Sequence, residues 1–112
     1  MTCGCARTRS SAPLVSILPS RNLRAAVSIA NDSQFGLTAG VFTTNLNKAL
    51  YAARHIESGV VTINQTPTFR VEHMPFGGVK RSGLGREGVK YAIEEMTELK
   101  MVVIQEMDIP DA

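Results

Sequence analysis

The sequence contains no tryptophan, only two tyrosines and four phenylalanines, and only two cysteines among its 112 residues. Aliphatic side chains must therefore form any hydrophobic core. The two cysteines, Cys3 and Cys5, are too few for a disulfide framework and too close in sequence to bridge each other well. They form no zinc pattern with the two histidines, because neither a Cys-x-x-Cys nor a His-x-x-x-His spacing occurs. We therefore expect no metal site.

A strong charge of one sign and long apolar runs are also absent. Twelve Lys and Arg against ten Asp and Glu give a net charge of +2, too small for a nucleic-acid or polybasic membrane surface. The apolar runs, such as residues 101–104, are far shorter than the ~20 residues of a transmembrane helix. The first residues have no apolar segment typical of a secretory signal. These absences predict a cytosolic protein that binds neither nucleic acid nor membrane.

The remaining composition, 44% hydrophobic and 20% charged, is that of one small globular domain. Apolar spacing predicts a helix capped by Ser20, a helix capped by Asn45, and a third helix over residues 86–96. Strands are predicted at residues 14–18, 39–43, 60–64 and 99–104. Residues 60–64 are almost continuously apolar, as in a strand covered on both faces of a parallel sheet. The order of these elements predicts an α/β layer fold.

Residues 65–85 follow a different pattern, with two prolines, four glycines and no sustained period. An irregular stretch of this length is usually functional or disordered. Its densest part leads directly into the third helix and reads PFGGVKRSGLGREG over residues 75–88. Glycines permit positive φ and close backbone approach, and the free N–H groups of a helix N-terminus favour anions. The pattern alone is a weak signal, more typical of a simple turn than of an anion-binding loop.

Four motifs in register resemble the C-terminal part of the aldehyde dehydrogenase superfamily. They read ANDSQFGLTAGVFT at residues 30–43, GVVTIN at 59–64, PFGGVKRSGLGRE at 75–87 and MTELK at 96–100. Their order and spacing agree with the family over roughly residues 13–105. The loop pattern Phe-Arg-x-x-x-Met-Pro-Phe-Gly-Gly resembles the branch that includes lactaldehyde, phosphonoacetaldehyde and non-phosphorylating glyceraldehyde-3-phosphate dehydrogenases.

The resemblance implies an oxidoreductase that converts an aldehyde to a carboxylic acid with NAD or NADP, through a cysteine thiolate. It implies that residues 13–98 are the end of a three-layer α/β catalytic domain, with a substrate and cofactor loop at residues 65–85. Residues 99–112 would be an oligomerisation strand and tail, which pairs with a second copy or with a full-length homologue. Residues 1–12 match nothing in the family and form an unmatched leader.

The resemblance also assigns roles to single residues. Phe76 matches a phenylalanine near the substrate and the nicotinamide, and Asn64 matches a strand-end residue before the substrate loop. The resemblance therefore implies that both bind substrate and that Phe76 also contacts the cofactor. Glu87 matches an acid that relays protons from the hydrolytic water. Arg86 and Glu98 match positions that can pair with each other. Each residue has a structural alternative: Phe76 as a core residue, Glu87 as an acid complementing the helix dipole, and the last two as an ordinary ion pair.

Arg70 falls in the loop where the family varies its substrate anchor. Its guanidinium could fork onto the carboxylate, phosphonate or phosphate of a small anionic aldehyde. The alternative is a solvated loop arginine that contacts no substrate. His73, three residues later, could line the substrate entrance.

Three parts of the family's machinery lie upstream of the matched region: the nucleophilic cysteine, the general-base glutamate and the dinucleotide-binding domain. Cys3 and Cys5 have no motif context and are not credible nucleophiles. Where the family has Glu-x-Phe-Gly-Pro, this chain has Arg-Ser-Ser-Ala-Pro at residues 9–13, so an acid that would hold the nicotinamide ribose is lost. We therefore expect this chain alone to be inactive and not to bind NAD(P). A non-catalytic oligomerisation module and a translated pseudogene remnant are the alternatives.

Overall fold

The computed structural model describes residue 13 and residues 15–105. Within this range the chain forms three helices and four short strands, a mixed α/β class that confirms the predicted one. In chain order they are α1 (Leu23–Asn31), β1 (Phe35–Gly36), β2 (Thr38–Val41), α2 (Leu46–His55), β3 (Val60–Ile63), β4 (Val79–Lys80) and α3 (Val89–Met96). The predicted leader, residues 1–12, and the end of the predicted tail lie outside the described residues.

The centre of the described structure is a parallel pair of strands, β2 and β3, which α2 connects. Thr38 pairs with Val60 at one end of the register, and Val41 pairs with Ile63 at the other. The connection makes one βαβ unit, in which the crossover helix covers the sheet. The parallel pairing confirms the parallel sheet predicted from the apolar run at residues 60–64. The strand is not covered on both faces in the described structure, since Ile63 is 38% exposed.

Helix α2 begins where the sequence predicts, because Asn45 caps it. The Asn45 side-chain oxygen accepts a hydrogen bond from the Lys48 amide N–H at 3.0 Å. Ala49 and Ala52 lie on the buried face, and Ala52 is 0% exposed. Small side chains on this face allow α2 to approach both α1 and β3 closely.

A second, antiparallel pair connects the turn after α1 to the glycine-rich segment. Phe35 of β1 pairs with Lys80 of β4. Gly59 allows the same segment to pass against the start of β3, since a Cβ there would lie 1.6 Å from the Gly77 carbonyl oxygen. Gly36 allows another close approach, with a Cβ falling 2.3 Å from the Glu57 carbonyl oxygen. Glycine at these two positions is therefore a packing requirement.

The Lys80 side chain also connects the glycine-rich segment to the turn after α1. Its ammonium donates to the Asn31 carbonyl at 2.8 Å and to the Ser33 carbonyl at 3.2 Å. It also pairs with the Glu57 carboxylate at 2.6 Å. Three separate acceptors thus surround one ammonium, which matches its donor capacity.

The described part of the chain buries few large side chains. Among its hydrophobic residues only Val27, Ala49 and Ala52 are less than 9% exposed. One face of α3 is uncovered, with Val89 at 75%, Ile93 at 56% and Met96 at 84% exposed. No helix in the described range is long and apolar enough to cross a bilayer.

Two predicted element starts are displaced in the structure. Helix α1 is capped by Asn22 rather than Ser20, because the Asn22 side chain accepts from the Ala25 amide at 2.9 Å. Helix α3 begins at Val89 rather than at residue 86, since the Glu87 backbone pairs with Phe76 instead of joining the helix. Local spacing could not anticipate this long-range pairing.

Two predicted strands are absent from the described residues. Residues 15–18 join no ladder, and Val15 and Ile17 are 86% and 88% exposed. Residues 97–105 also form no regular structure, so the strand predicted at residues 99–104 is not formed in this single chain. A strand requires a neighbour to accept and donate its backbone hydrogen bonds. Neither segment has one within the described structure.

Candidate functional site

The candidate site is a cavity of about 240 Å³ between the start of β3 and the loop that precedes the glycine-rich segment. It is lined by Gly59, Val60, Val61, Phe69, Arg70, Met74, Pro75 and Phe76. Two of the side chains predicted to bind substrate, Arg70 and Phe76, therefore lie on one cavity. A largely apolar wall with one convergent charge is typical of a small-molecule site.

Arg70 makes two contacts that connect it to other predicted site residues. The carbon at the centre of its guanidinium lies 4.4 Å from the centroid of the Phe76 ring, which is a cation–π contact. Its Nη2 atom lies 3.0 Å from Glu87 Oε2. The two side chains of this ion pair are 41% and 66% exposed, so water screens their attraction. Arg70, Phe76 and Glu87 thus form one cluster.

The backbone fixes Glu87 opposite Phe76. The Phe76 amide donates to the Glu87 carbonyl at 3.1 Å, and the Glu87 amide donates back to the Phe76 carbonyl. Gly88 then caps α3 with φ at 121°, and the first turn of that helix holds no acidic residue. The interpretation of Glu87 as a first-turn acid that complements the helix dipole is therefore wrong. Its side chain points to Arg70 instead.

Asn64 connects the ends of the two parallel strands and does not line the cavity. Its side-chain oxygen accepts from the Thr43 amide at 2.8 Å, and its side-chain nitrogen donates to the Thr43 carbonyl at 2.9 Å. Its φ is 55°, in the left-handed region that asparagine tolerates better than most residues. Asn64 therefore sets where the loop toward Arg70 begins.

Substitutions at Asn64 separate the amide contacts from the backbone conformation. We expect Asn64→Gly to lose the two amide hydrogen bonds, at about 1 kcal/mol each. Asn64→Ala loses the same contacts but keeps a Cβ at positive φ, which costs about 1–2 kcal/mol relative to glycine. Urea unfolding followed by circular dichroism should therefore rank wild type above Gly and Gly above Ala. Equal stability of the two variants would contradict a role for the left-handed conformation.

The predicted pair between Arg86 and Glu98 is not formed. The Arg86 guanidinium donates to two backbone carbonyls, of Gly78 at 3.1 Å and of Gly85 at 2.7 Å. Both hydrogen bonds come from Nη1, and they hold the glycine-rich segment in shape. Within the described residues the Arg86 guanidinium therefore binds the loop's own backbone instead of pairing with Glu98.

Glu95, which the sequence analysis did not single out, fills the glycine-rich turn. Its Oε1 atom accepts from the Arg86 amide at 3.0 Å. A Cβ at Gly85, whose φ is 70°, would lie 2.6 Å from the same oxygen. The anion that lies in this turn is therefore a carboxylate from α3 of the chain itself. No signal in the sequence spacing marks this contact.

This arrangement limits what the described residues offer a nicotinamide cofactor. A cofactor phosphate does not fit the turn at Gly85 and Arg86, because the Glu95 carboxylate is there. The Phe76 ring, partly buried on the cavity wall, could lie against a flat nicotinamide. The Phe76 ring thus offers a surface for a nicotinamide, whereas the turn at Gly85 and Arg86 offers no space for a phosphate.

Neither histidine supports a metal site. His55 stacks on Tyr51 with ring centroids 4.1 Å apart, and its Nδ1 lies 2.7 Å from the Tyr51 carbonyl oxygen. His73 is exposed and is not among the residues that line the cavity. Within residues 15–105 no group of three or more potential ligands comes together.

Comparisons with known proteins agree with the resemblance. A model of the aldehyde dehydrogenase family matches residues 4–102, a range that begins inside the predicted leader. Lactaldehyde dehydrogenase of Methanococcus maripaludis strain C7 is 59% identical over 92 residues, which cover 82% of this chain and 20% of that protein. For 3-sulfolactaldehyde dehydrogenase of Priestia megaterium the identity is 50% over 82% of this chain and 19% of that protein.

A solved structure extends the agreement to the fold. Glyceraldehyde-3-phosphate dehydrogenase GapN from Methanocaldococcus jannaschii, complexed with NADP, superposes with a TM-score of 0.81 at 44% identity. The superposition covers 90% of this chain and 22% of that one. The chain thus spans about a fifth of the length of the curated relatives it matches. On the range and identity of these matches, the chain belongs to the aldehyde dehydrogenase family.

Proposed function

We propose that this chain is the substrate-side wall of an NAD(P)-dependent aldehyde dehydrogenase that oxidises a small anionic aldehyde to its acid. The observation that carries the proposal is the position of Arg70, which places one cation on an otherwise apolar cavity. The names of two relatives support the anionic class, because 3-sulfolactaldehyde carries a sulfonate and glyceraldehyde-3-phosphate a phosphate. The nucleophilic cysteine and the dinucleotide-binding domain would lie on polypeptide outside the matched segment.

Arg70 would bind the anionic end of the substrate. A guanidinium has five N–H donors, and the ion pair with Glu87 uses one terminal nitrogen. The face of the Phe76 ring packs against the Arg70 guanidinium, which keeps the positive charge at the cavity. The apolar lining formed by Val60, Val61 and Phe69 would cover the carbon chain of the substrate and exclude water from it.

The other predicted site residues act around this anchor. When bound, NAD(P) accepts a hydride from the substrate, and Phe76 would orient the nicotinamide at the cavity wall. Glu87 would carry a proton away from the hydrolytic water. Asn64 and Arg86 are positioning residues, since both hold loop backbone rather than the cavity.

The segment at residues 99–104 would pair with a strand of a neighbouring subunit. Its apolar side chains are uncovered in this chain, with Leu99 at 104% and Ile104 at 87% exposed. Glu98 would lie at the edge of that interface. A neighbouring strand would supply the backbone partners that the segment lacks here. A cytosolic location remains part of the proposal.

A chimeric enzyme tests the function. The segment of this chain that matches the M. maripaludis lactaldehyde dehydrogenase replaces its counterpart there, which the 59% identity makes feasible. We expect the chimera to oxidise aldehydes with NAD or NADP, and kcat/KM to be at least about tenfold higher for glyceraldehyde-3-phosphate than for glyceraldehyde. The two aldehydes differ only in the phosphate, so each serves as the other's control. A folded chimera that oxidises neither would contradict the proposal.

The exposed segment at residues 99–104 also favours a second candidate, a non-catalytic module that joins full-length homologues. Mixing the chain with the intact M. maripaludis enzyme and measuring masses by native mass spectrometry distinguishes the candidates. Mixed oligomers without any change in activity would support the module. Their absence, together with an active chimera, would support the enzyme.

A further inference from the structure

We infer that Glu87 is an internal competitor for Arg70, which an anionic substrate must displace before it binds. The inference rests on the proposed function and adds a regulatory step to the same cavity. It makes Glu87 a residue that sets specificity, in addition to any part in proton transfer. The contacts of the two side chains and of Phe76 carry it.

The ion pair between Arg70 and Glu87 can be exchanged for a contact between Arg70 and a substrate anion. It is a single contact of 3.0 Å between Arg70 Nη2 and Glu87 Oε2 rather than a two-point fork. Both side chains are more than a third exposed, and exposed pairs of this kind contribute little to stability. An incoming sulfonate, phosphate or carboxylate can therefore replace Glu87 without breaking a buried interaction.

When the ion pair opens, Arg70 and Glu87 are each held in place by a different contact. Arg70 keeps its contact with the Phe76 ring at 4.4 Å, so its charge stays on the cavity. The Glu87 backbone stays hydrogen-bonded to Phe76 on both sides, while its side chain makes no other ion pair within the described residues. Rotation of the Glu87 side chain alone can thus vacate Arg70. The rest of the site stays in place.

Charge explains why the two anions exclude each other. A substrate anion on Arg70 would lie within a few ångströms of the Glu87 carboxylate, where like charges repel. A neutral aldehyde has no such conflict and leaves the pair closed. The exchange at Arg70 therefore depends on the charge of the substrate.

Direct binding of inorganic sulfate tests the exchange without an assay of catalysis. Isothermal titration calorimetry would compare the chimera with its Arg70→Gln, Glu87→Gln and double variants. We expect Glu87→Gln to bind sulfate about threefold to tenfold more tightly, because the competing carboxylate is gone. The gain should disappear in the double variant. Glu94→Gln is the matched control, since Glu94 pairs with Lys90 on the exposed side of α3 and should leave sulfate binding unchanged.

The possible results distinguish a failure of this inference from a failure of the proposed function. Sulfate affinity that is unchanged or weaker in Glu87→Gln, while Arg70→Gln weakens it, would overturn the exchange and leave Arg70 as the anchor. Sulfate affinity that Arg70→Gln does not alter would overturn both the anchor and the exchange. Circular dichroism of each variant confirms that the fold is retained.

Discussion

Replacing Arg70 by Ala in the chimera should raise KM for glyceraldehyde-3-phosphate about 10- to 100-fold. A hydrogen bond to a charged group contributes about 1.5–3 kcal/mol, which corresponds to that range. The KM for propanal should change less than about twofold, because a neutral aldehyde has no anion for the guanidinium to bind. Steady-state kinetics with the two aldehydes measure both values.

Two further variants control this experiment. Arg54→Ala removes a cation from the exposed end of α2, away from the cavity lining, and should leave both KM values unchanged. Arg70→Lys keeps a positive charge but loses the planar fork, and should recover part of the affinity for the phosphate. An equal rise in KM for the two aldehydes would show that Arg70 supports the loop and does not select the anion.

Gly59→Ala should be the most damaging single substitution for the fold. The new Cβ would lie 1.6 Å from the Gly77 carbonyl oxygen and 2.7 Å from its carbon, and both atoms are backbone. Neither can rotate away, so β3 and the glycine-rich segment must separate. We expect a loss of more than about 3 kcal/mol, measured by urea unfolding, or a failure to fold seen in the far-ultraviolet circular dichroism.

Gly83→Ala is the matched glycine control. Its Cβ would meet nothing within 4 Å, and only its φ of 147° disfavours a side chain. We expect a loss of about 1 kcal/mol there, from the backbone conformation alone. Similar stabilities for the two variants would contradict the close passage of Gly77 against the start of β3.

The sequence predicts those elements of the fold that are determined by residues close together in the chain. Helix α2 was placed correctly because one asparagine, Asn45, precedes a regular apolar stripe. Helix α1 has two possible caps, Ser20 and Asn22, and spacing cannot choose between them. The strand at residues 99–104 was predicted from its apolar, β-branched composition. Composition cannot supply the neighbouring strand that such a segment requires.

The candidate site, too, was predictable only where its residues lie close together in the sequence. Arg70 and Phe76 flank one short loop, so the sequence could place both on one cavity. The ion pair between Arg70 and Glu87 depends on the pairing of Phe76 with Glu87, a contact that no local pattern specifies. For the same reason the contact of the Glu95 carboxylate with the glycine-rich turn was missed. The resemblance to the family identified the candidate residues, but their interaction partners depend on tertiary contacts that the sequence does not show.

The position of Lys80 has a consequence for local opening of the described chain. Its ammonium contacts the Asn31 and Ser33 carbonyls and the Glu57 carboxylate. These acceptors lie at the end of α1, in the turn that follows it and just before β3, all distant from β4 in sequence. Detachment of β4 from the rest of the chain therefore requires all three contacts to break together.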